Sequence, residues 1–348
     1  TTEIYTLSLH DALPISGYQK VTDPAAREKF QKAWGVEKLP DQVGLMIPGM
    51  FEGIEKGTIK GLWVFGENLA NTEPDIRHVE HCLEKVDFLV CNDIFNTETT
   101  RFADVVFPAT AWSEDDGTFT NSERRVNRVR KAVEAPGESR PNWWVFREIA
   151  KRLGQEWASA SGQEIWDNEI SELAPALKGI KYRRIENDGL QWPCPDEDHP
   201  GTVCMHAGGK FTCGLGIFNP VDWTPPAEVP DAEYPLVLST GRRLYHYHTR
   251  TQTGRCGGLN DLLGEETADI SFADAAAIGV ADGEKVRVSS RRGQVVVKAR
   301  VTRQVPQGLV WMAFHFREGN ANWLTNPVYD PISQTAEYKA CAVRLEKA

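Results

Sequence analysis

Two short polar groups, Gly66-Glu67-Asn68 and Asn92-Asp93, each follow an apolar run at the point where a parallel strand would end. Side chains in that place converge on the crevice outside the carboxyl ends of an α/β sheet, where nucleotides sit. A carboxylate there can accept two N–H bonds from the Watson–Crick edge of guanine. The plainer reading of an Asp after a strand is a helix cap or turn former. The block from Asp87 to Lys131, DFLVCNDIFNTETTRFADVVFPATAWSEDDGTFTNSERRVNRVRK, favours binding, because it adds more chemistry at the same mouth. In it, Glu114-Asp115-Asp116-Gly117 permits close backbone approach, and Arg124-Arg125 offers guanidinium groups suited to phosphate or a buried carboxylate. A surface acidic loop paired to a basic helix start is the alternative. The second group is TGRRLYHYHT, Thr240–Thr249, following the strand-like PLVLS. His246 and His248 fall on one face without a carboxylate companion, which argues against a metal; Arg242 and the loop amides suit a polyanion. Cys194, His199, Cys204, His206 and Cys213 match no zinc or iron–sulfur spacing, and the bracketing prolines favour a structural loop.

The elements that must hold these groups read as follows. Asp23-Pro24 opens a capped helix through AAREKFQKAW that ends at Gly35. GLWVF and DFLVCND are buried strands, and DIRHVEHCLEKV between them places Ile76, Val79, Leu83 and Val86 on one helical face. Strand, helix and strand make a βαβ unit with a right-handed crossover. ADVVFPA adds a strand and NWWVFREIAKRLG a closing helix. A doubly wound, Rossmann-like α/β domain over 17–155 follows. Residues 156–230 read as a connection, with a helix near Glu164–Leu173 and then a Pro/Gly-rich passage. Over 231–348 the β-branched runs PLVLST, EKVRVSS, QVVVKARVT and LVWMAF, with turns at Asp282-Gly283 and Arg292-Gly293, predict a compact β-barrel.

Composition sets limits. With 348 residues, 41% hydrophobic, 25% charged and net charge −10, the chain is globular, and its acidity argues against nucleic acid or an anionic membrane as partner. It has no apolar run of about 18 residues, so no membrane span is expected. The seven cysteines include no CxxC pair, so no cluster motif is encoded, and their scatter suits a reducing compartment. Residues 1–16, TTEIYTLSLHDALPIS, correspond to the translation of a short-read sequencing adaptor and are set aside as non-native. The native sequence is then expected to begin near Gly17, in mid-sequence.

The E-x-x-G-x-x-x-N-x-E-R-R pattern of Glu114–Arg125, the loop TGRRLYHYHT, and the tail FHFREGNANWLTNPVYDPISQTAEYKACAVRLEK resemble the molybdopterin oxidoreductases, and among them the formate dehydrogenase alpha subunits. The similarity runs from Gly17 to Lys347. It implies a double-psi-like barrel and a bis-molybdopterin guanine dinucleotide cofactor with molybdenum or tungsten. It also implies a [4Fe–4S] cluster in an N-terminal region, and oxidation of formate to carbon dioxide at a metal-bound cysteine or selenocysteine. The resemblance places those catalytic and metal-ligating groups upstream of Gly17, so none is assigned here and the chain alone is expected to be inactive. Position by position, the implied dinucleotide contacts are Glu67, Asn68, Asn92, Asp93, Asp115, Asn142, Thr240, Gly241, Arg242, Leu244, His246, His248, Thr249, Phe314, Asn322 and Lys339. Asn142 departs from the family, where Asp is common; without the charge, a guanine contact and a simple helix cap both stay open. Implied partners are formate and electron-transfer subunits, and the implied setting is cytoplasmic. Two other readings stay open: an assimilatory nitrate reductase, and the structural large subunit of respiratory complex I, against which the retained TGRRLYHYHT loop and barrel weigh.

Overall fold

The computed structural model describes residues 4–6, 14–209, 211 and 214–348. Near its start, Asp23 caps the helix Pro24–Trp34, its Oδ1 accepting from the Ala25 amide at 3.0 Å, and Gly35 closes that helix at φ 64°. Such a left-handed residue satisfies the last carbonyls of a helix at no Cβ cost. The same helix buries Phe30.

A four-stranded parallel sheet follows, in the order Ile4–Thr6, Gly61–Phe65, Phe88–Asp93 and Val105–Pro108. Ile4–Thr6, inside the segment set aside on sequence grounds, lies along Gly61–Phe65 as the edge strand. Alternation along Gly61–Phe65 sends Leu62 and Val64 to one face, where helices Ile47–Glu55 and Ile76–Lys85 cover them with Met50, Ile54, Val79 and Leu83. Trp63 and Phe65 point to the other face, where Phe146 of the helix Asn142–Arg152 meets their rings at 5.3 and 4.7 Å. The sheet is therefore wound on both faces, and all of its carboxyl ends open in one direction. Helix Ile47–Glu55 was not expected; IPGMFEGIE carries a proline and two glycines, but its proline sits in the first turn, where its missing N–H is harmless.

The Arg124-Arg125 pair lies on a hairpin rather than at a helix start. Gly117–Thr120 and Arg125–Val129 pair antiparallel, and Leu190–Gln191 adds a third strand. Beneath them Val126, Trp166, Ile180 and Tyr182 form a small core. The helical stretch expected near 164–173 is present from Gly162 to Leu173, with a π-helical middle over Ile165–Ile170.

The C-terminal region closes into a six-stranded barrel in the order Leu236–Gly241, Leu309–Ala313, Thr267–Ile270, Gln294–Val301, Lys285–Ser289 and Cys341–Lys347. Closure leaves no free edge. Along Gln294–Val301 the side chains alternate, with Val295, Val297 and Ala299 buried, as a half-buried strand requires. Thr267–Ile270 and Cys341–Lys347 are strands without a clear sequence signal. The first is four residues long and carries a buried Asp269, which takes Arg243 at 3.0 and 2.9 Å as well as Arg300. Where the Leu236–Gly241 strand leaves the barrel, the Trp311 indole fills the space of a side chain: a Cβ on Gly241 would sit 2.4 Å from the ring. No described helix is long and apolar enough to cross a membrane.

Ile270, fully buried in the barrel core, tests where the stability lies. Ile270→Ala should lower the unfolding free energy by about 2–5 kcal/mol. Val296→Ala, on the 42% exposed face of a neighbouring strand, should cost no more than about 1 kcal/mol. Urea denaturation with unchanged slope measures both, and equal losses would place the core elsewhere.

Candidate functional site

The site begins where the sheet ends. Gly66 leaves its strand at φ 57°, a left-handed conformation that favours glycine, and its amide donates to the Asn92 carbonyl at 2.7 Å. This turn delivers Glu67 and Asn68 to the crevice mouth, both buried. On the next strand, Asn92 accepts from Trp63 Nε1 at 2.7 Å and donates to Asn142 Oδ1 at 3.2 Å, so its amide plane is fixed by two partners. Asp93 accepts from the Phe95 amide at 3.3 Å. Burial raises its carboxyl above the usual carboxylate range, against the lowering effect of the Phe95 and Ile94 amides.

From the barrel side, the loop after Gly241 reaches across to the same crevice. Together the two sides enclose a cleft of about 300 Å³, with Asn68, Asn92, Asp93 and Asn142 on one wall and His248 and Thr249 on the other. That volume is at the lower end for a small-molecule site. His248 takes a left-handed backbone, φ 49°, and stands edge-on to Phe314 at 5.6 Å. Burial, and then the charge of Arg242, hold its imidazole below its ordinary pKa, favouring the neutral ring.

A second cluster surrounds Phe314. The Arg242 guanidinium lies 5.2 Å over the Phe314 ring, and Lys339 donates to the Thr240 carbonyl at 2.6 Å. Lys339 is lowered in pKa by burial and then by Arg242. Among the described residues neither cation forms an ion pair, an arrangement that suits an anion.

His246, Leu244, Asp115 and Asn322 do not line the cleft. His246 is buried with both ring nitrogens engaged, by Thr253 at 3.1 Å and the Leu263 carbonyl at 2.7 Å. Leu244 is 91% exposed, and Asp115 accepts from Trp143 Nε1 at 3.1 Å. Asn322 donates to the Asn71 and Thr72 carbonyls at 3.2 and 2.8 Å, and Asn320 to Asn71 Oδ1 at 2.7 Å. These two asparagines bind the barrel to the short helix Leu69–Thr72, helped by Arg317, which pairs with Glu80, and by Tyr338, whose hydroxyl donates to the Thr72 carbonyl at 3.0 Å. Arg124 and Arg125 do not face an anion site. Arg124 donates to the carbonyls of Trp192 and Thr202, and Arg125 to Gly189 and Glu123. Cys194 is buried with its thiol near the Asp196 and His199 carbonyls, Cys204 is exposed, and Cys213 lies outside the described residues.

Sequence reading missed the strand end at Ala109–Trp112, and Thr251 and Gln252, all of which line the cleft, and named Tyr247 only within its loop. The strand-end rule that found Asp93 applies equally after Pro108 and could have found the first group. The others depend on how the loop folds back, which spacing does not reveal.

Next to the cleft, Glu73 is buried beside Glu67 and has its carboxyl pushed up to about 7, first by burial and then by the charge of Glu67. Glu67 is also raised, by burial before anything else. A carboxyl raised on folding holds its proton more tightly in the native state, so the stability it contributes is fully present below the ordinary value of 4.5 and is lost as pH rises toward about 7. Glu73→Gln should remove much of that fall, seen as a flatter dependence of the urea midpoint on pH across this window. An unchanged dependence would mean that Glu73 is ionised in the native state.

Comparison with known proteins brings both walls of the cleft under family profiles. Residues 14–152 match "Molybdopterin oxidoreductase" and residues 236–342 match "Molydopterin dinucleotide binding domain". The chain is 45% identical over 342 residues to "F420-dependent formate dehydrogenase 2 subunit alpha" of Methanococcus maripaludis, covering 97% of this chain and 50% of that protein. It is 37% identical over 345 residues to "Formate dehydrogenase H" of Escherichia coli, covering 97% of this chain and 48% of the relative. It is 40% identical over 357 residues to "Nitrate reductase" of Symbiobacterium thermophilum, covering 95% and 47%. The chain thus spans about half the length of the curated relatives it matches. Among solved structures, acetylene hydratase from Pelobacter acetylenicus superimposes with a TM-score of 0.70 at 17% identity, over 94% of this chain and 50% of that one, and shares the fold.

Proposed function

Because this chain belongs to the molybdopterin oxidoreductase family, we propose that it forms the dinucleotide-cradling half of a formate dehydrogenase alpha subunit. One observation carries the reading: the cleft is built jointly by strand ends of the first matched region and by the loop of the second. The residues present suit such a group. Asp93, with the amides of Asn68, Asn92 and Asn142, offers the acceptors and donors that a purine edge needs. Arg242 and Lys339, without carboxylate partners among the described residues, suit the phosphates. Asn142 supplies an amide where a charged group would read the base more strongly, so Asp93 is the only carboxylate among the described residues on that wall of the cleft.

In this reading the chain binds and orients, and the half-buried ring of Phe314 carries the Arg242 guanidinium at the phosphate site. When bound, the cofactor's metal centre would take two electrons from formate, releasing carbon dioxide and a proton. The metal, molybdenum or tungsten, and any [4Fe–4S] cluster would be held by residues outside those assigned here. Electrons would pass to a partner subunit, and the cytoplasm is the setting we propose, on the resemblance alone. A nitrate reductase is the second reading, favoured by the 40% identical relative of that name.

Two measurements on the complete subunit that contains this sequence test the proposal. Formate-dependent dye reduction without nitrate reduction is expected, and the reverse pattern would replace the first reading with the second. Asp93→Ala should weaken retention of the guanine dinucleotide by about 1–3 kcal/mol, the value of a bidentate contact to a base edge. It is read as guanine nucleotide released from the denatured protein. Undiminished nucleotide would remove Asp93 from the site.

A further inference from the structure

On the opposite side of the sheet's helical layer, away from the cleft, three side chains of different chemistry meet. Glu55 ends the helix Ile47–Glu55, and His78 and Cys82 stand one turn apart on Ile76–Lys85. His78 Nε2 lies 3.1 Å from Glu55 Oε1 and 3.5 Å from Cys82 Sγ, and the three potential ligand atoms all fall within 4.8 Å of one another. Around a tetrahedral zinc the nitrogen-to-oxygen edge would be about 3.4 Å and the nitrogen-to-sulfur edge about 3.6 Å, from ordinary ligand distances. Two edges of such a tetrahedron are therefore already in place. The third requires only that the carboxylate of Glu55, whose side chain is 43% exposed, swing toward the sulfur.

The frame around the three is firm where it must be. Cys82 is fully buried, its thiol 3.8 Å from the Phe51 carbonyl, and the Phe51 ring meets the His78 ring edge-on at 6.3 Å. Lys85 fixes the end of the first helix by donating to the Glu55 carbonyl at 2.5 Å. His78 is partly exposed, so the approach from solvent is through His78 and Glu55.

We propose that Glu55, His78 and Cys82 form a zinc(II) site that staples these two helices, with water as fourth ligand. The mixed sulfur, nitrogen and oxygen set selects a borderline-soft, tetrahedral ion. A thiolate and a carboxylate neutralise the dication while the imidazole stays uncharged. Binding forms the zinc–sulfur bond and breaks the S–H bond, and the proton leaves to solvent. Burial pushes the free thiol up to about 11, so without metal it stays protonated and inert.

The 348-residue chain, chelator-stripped and in a Cys204→Ser, Cys256→Ser background that removes the thiols exposed among the described residues, is titrated with cobalt(II) and then zinc(II). One cobalt per chain with sulfur-to-metal charge-transfer absorption is expected, displaced by zinc, and zinc should raise the Tm. Cys82→Ser should abolish the absorption. Glu55→Gln, half-exposed and harmless to the core, should weaken zinc by about tenfold or more, at least the range seen on losing outer-shell partners. Absence of the absorption in the parent chain, or cobalt spectra and zinc affinities unchanged by both substitutions, would overturn the site and leave an ordinary His78–Glu55 ion pair.

Discussion

The cleft exists because two asparagines hold the barrel against the sheet. Asn320 and Asn322 are buried in the interface with their amides on Asn71 and Thr72. Buried amides that lose their partners cost about 1–3 kcal/mol each, more than the net value of the bonds themselves. The contact therefore works mainly as a constraint: any other packing of the two units leaves polar groups dry and unpaired. Asn71 and Thr72 lie only a few residues beyond Gly66, so what is fixed at the interface is also fixed at the crevice mouth. The barrel end of the clasp follows Phe314 directly, which ties the cation cluster to the same frame.

Electrostatics shape what this frame accepts. The chain carries a net charge of −10, yet around the cleft the acids are muted. Burial raises Asp93, Glu67 and Glu73, the last to about 7, so part of the Glu73 charge is withheld near neutral pH. An anionic group approaching Arg242 and Lys339 meets less repulsion than the composition suggests. Burial makes the same adjustment in the barrel, where Glu266, beside Arg243, is also pushed up to about 7.

How much of this was legible depended on whether the signal was local. The capped helix at Pro24–Trp34, the amphipathic Ile76–Lys85 and the strand ends at Gly66 and Asp93 announce themselves through caps, periodicity and position. The six-residue part of the site on the cleft walls, Asn68, Asn92, Asp93, Asn142, His248 and Thr249, was named from sequence, and the structure brings those residues together. The rest was hidden for physical reasons. Thr267–Ile270 is too short to show alternation and carries an acid that long-range pairs with Arg243 and Arg300 make tolerable. The charge of Arg124 and Arg125 suggested an anion, but charge does not report whether backbone carbonyls from residues 189–203 will be nearer. His246 looked equivalent to His248 by spacing, and the loop's turn separated them.

The clasp grips main-chain carbonyls at Asn71 and Thr72. Every residue type carries that acceptor, so the sheet side of this joint at Thr72 is written in backbone and the barrel side in asparagine and tyrosine. The vocabulary of recognition is thus lopsided. Sequence can drift at Thr72 without the joint registering it, while on the barrel a single change at Asn322 would be felt at once. Such a joint leaves Thr72 free to vary while Asn71 and the barrel keep the address.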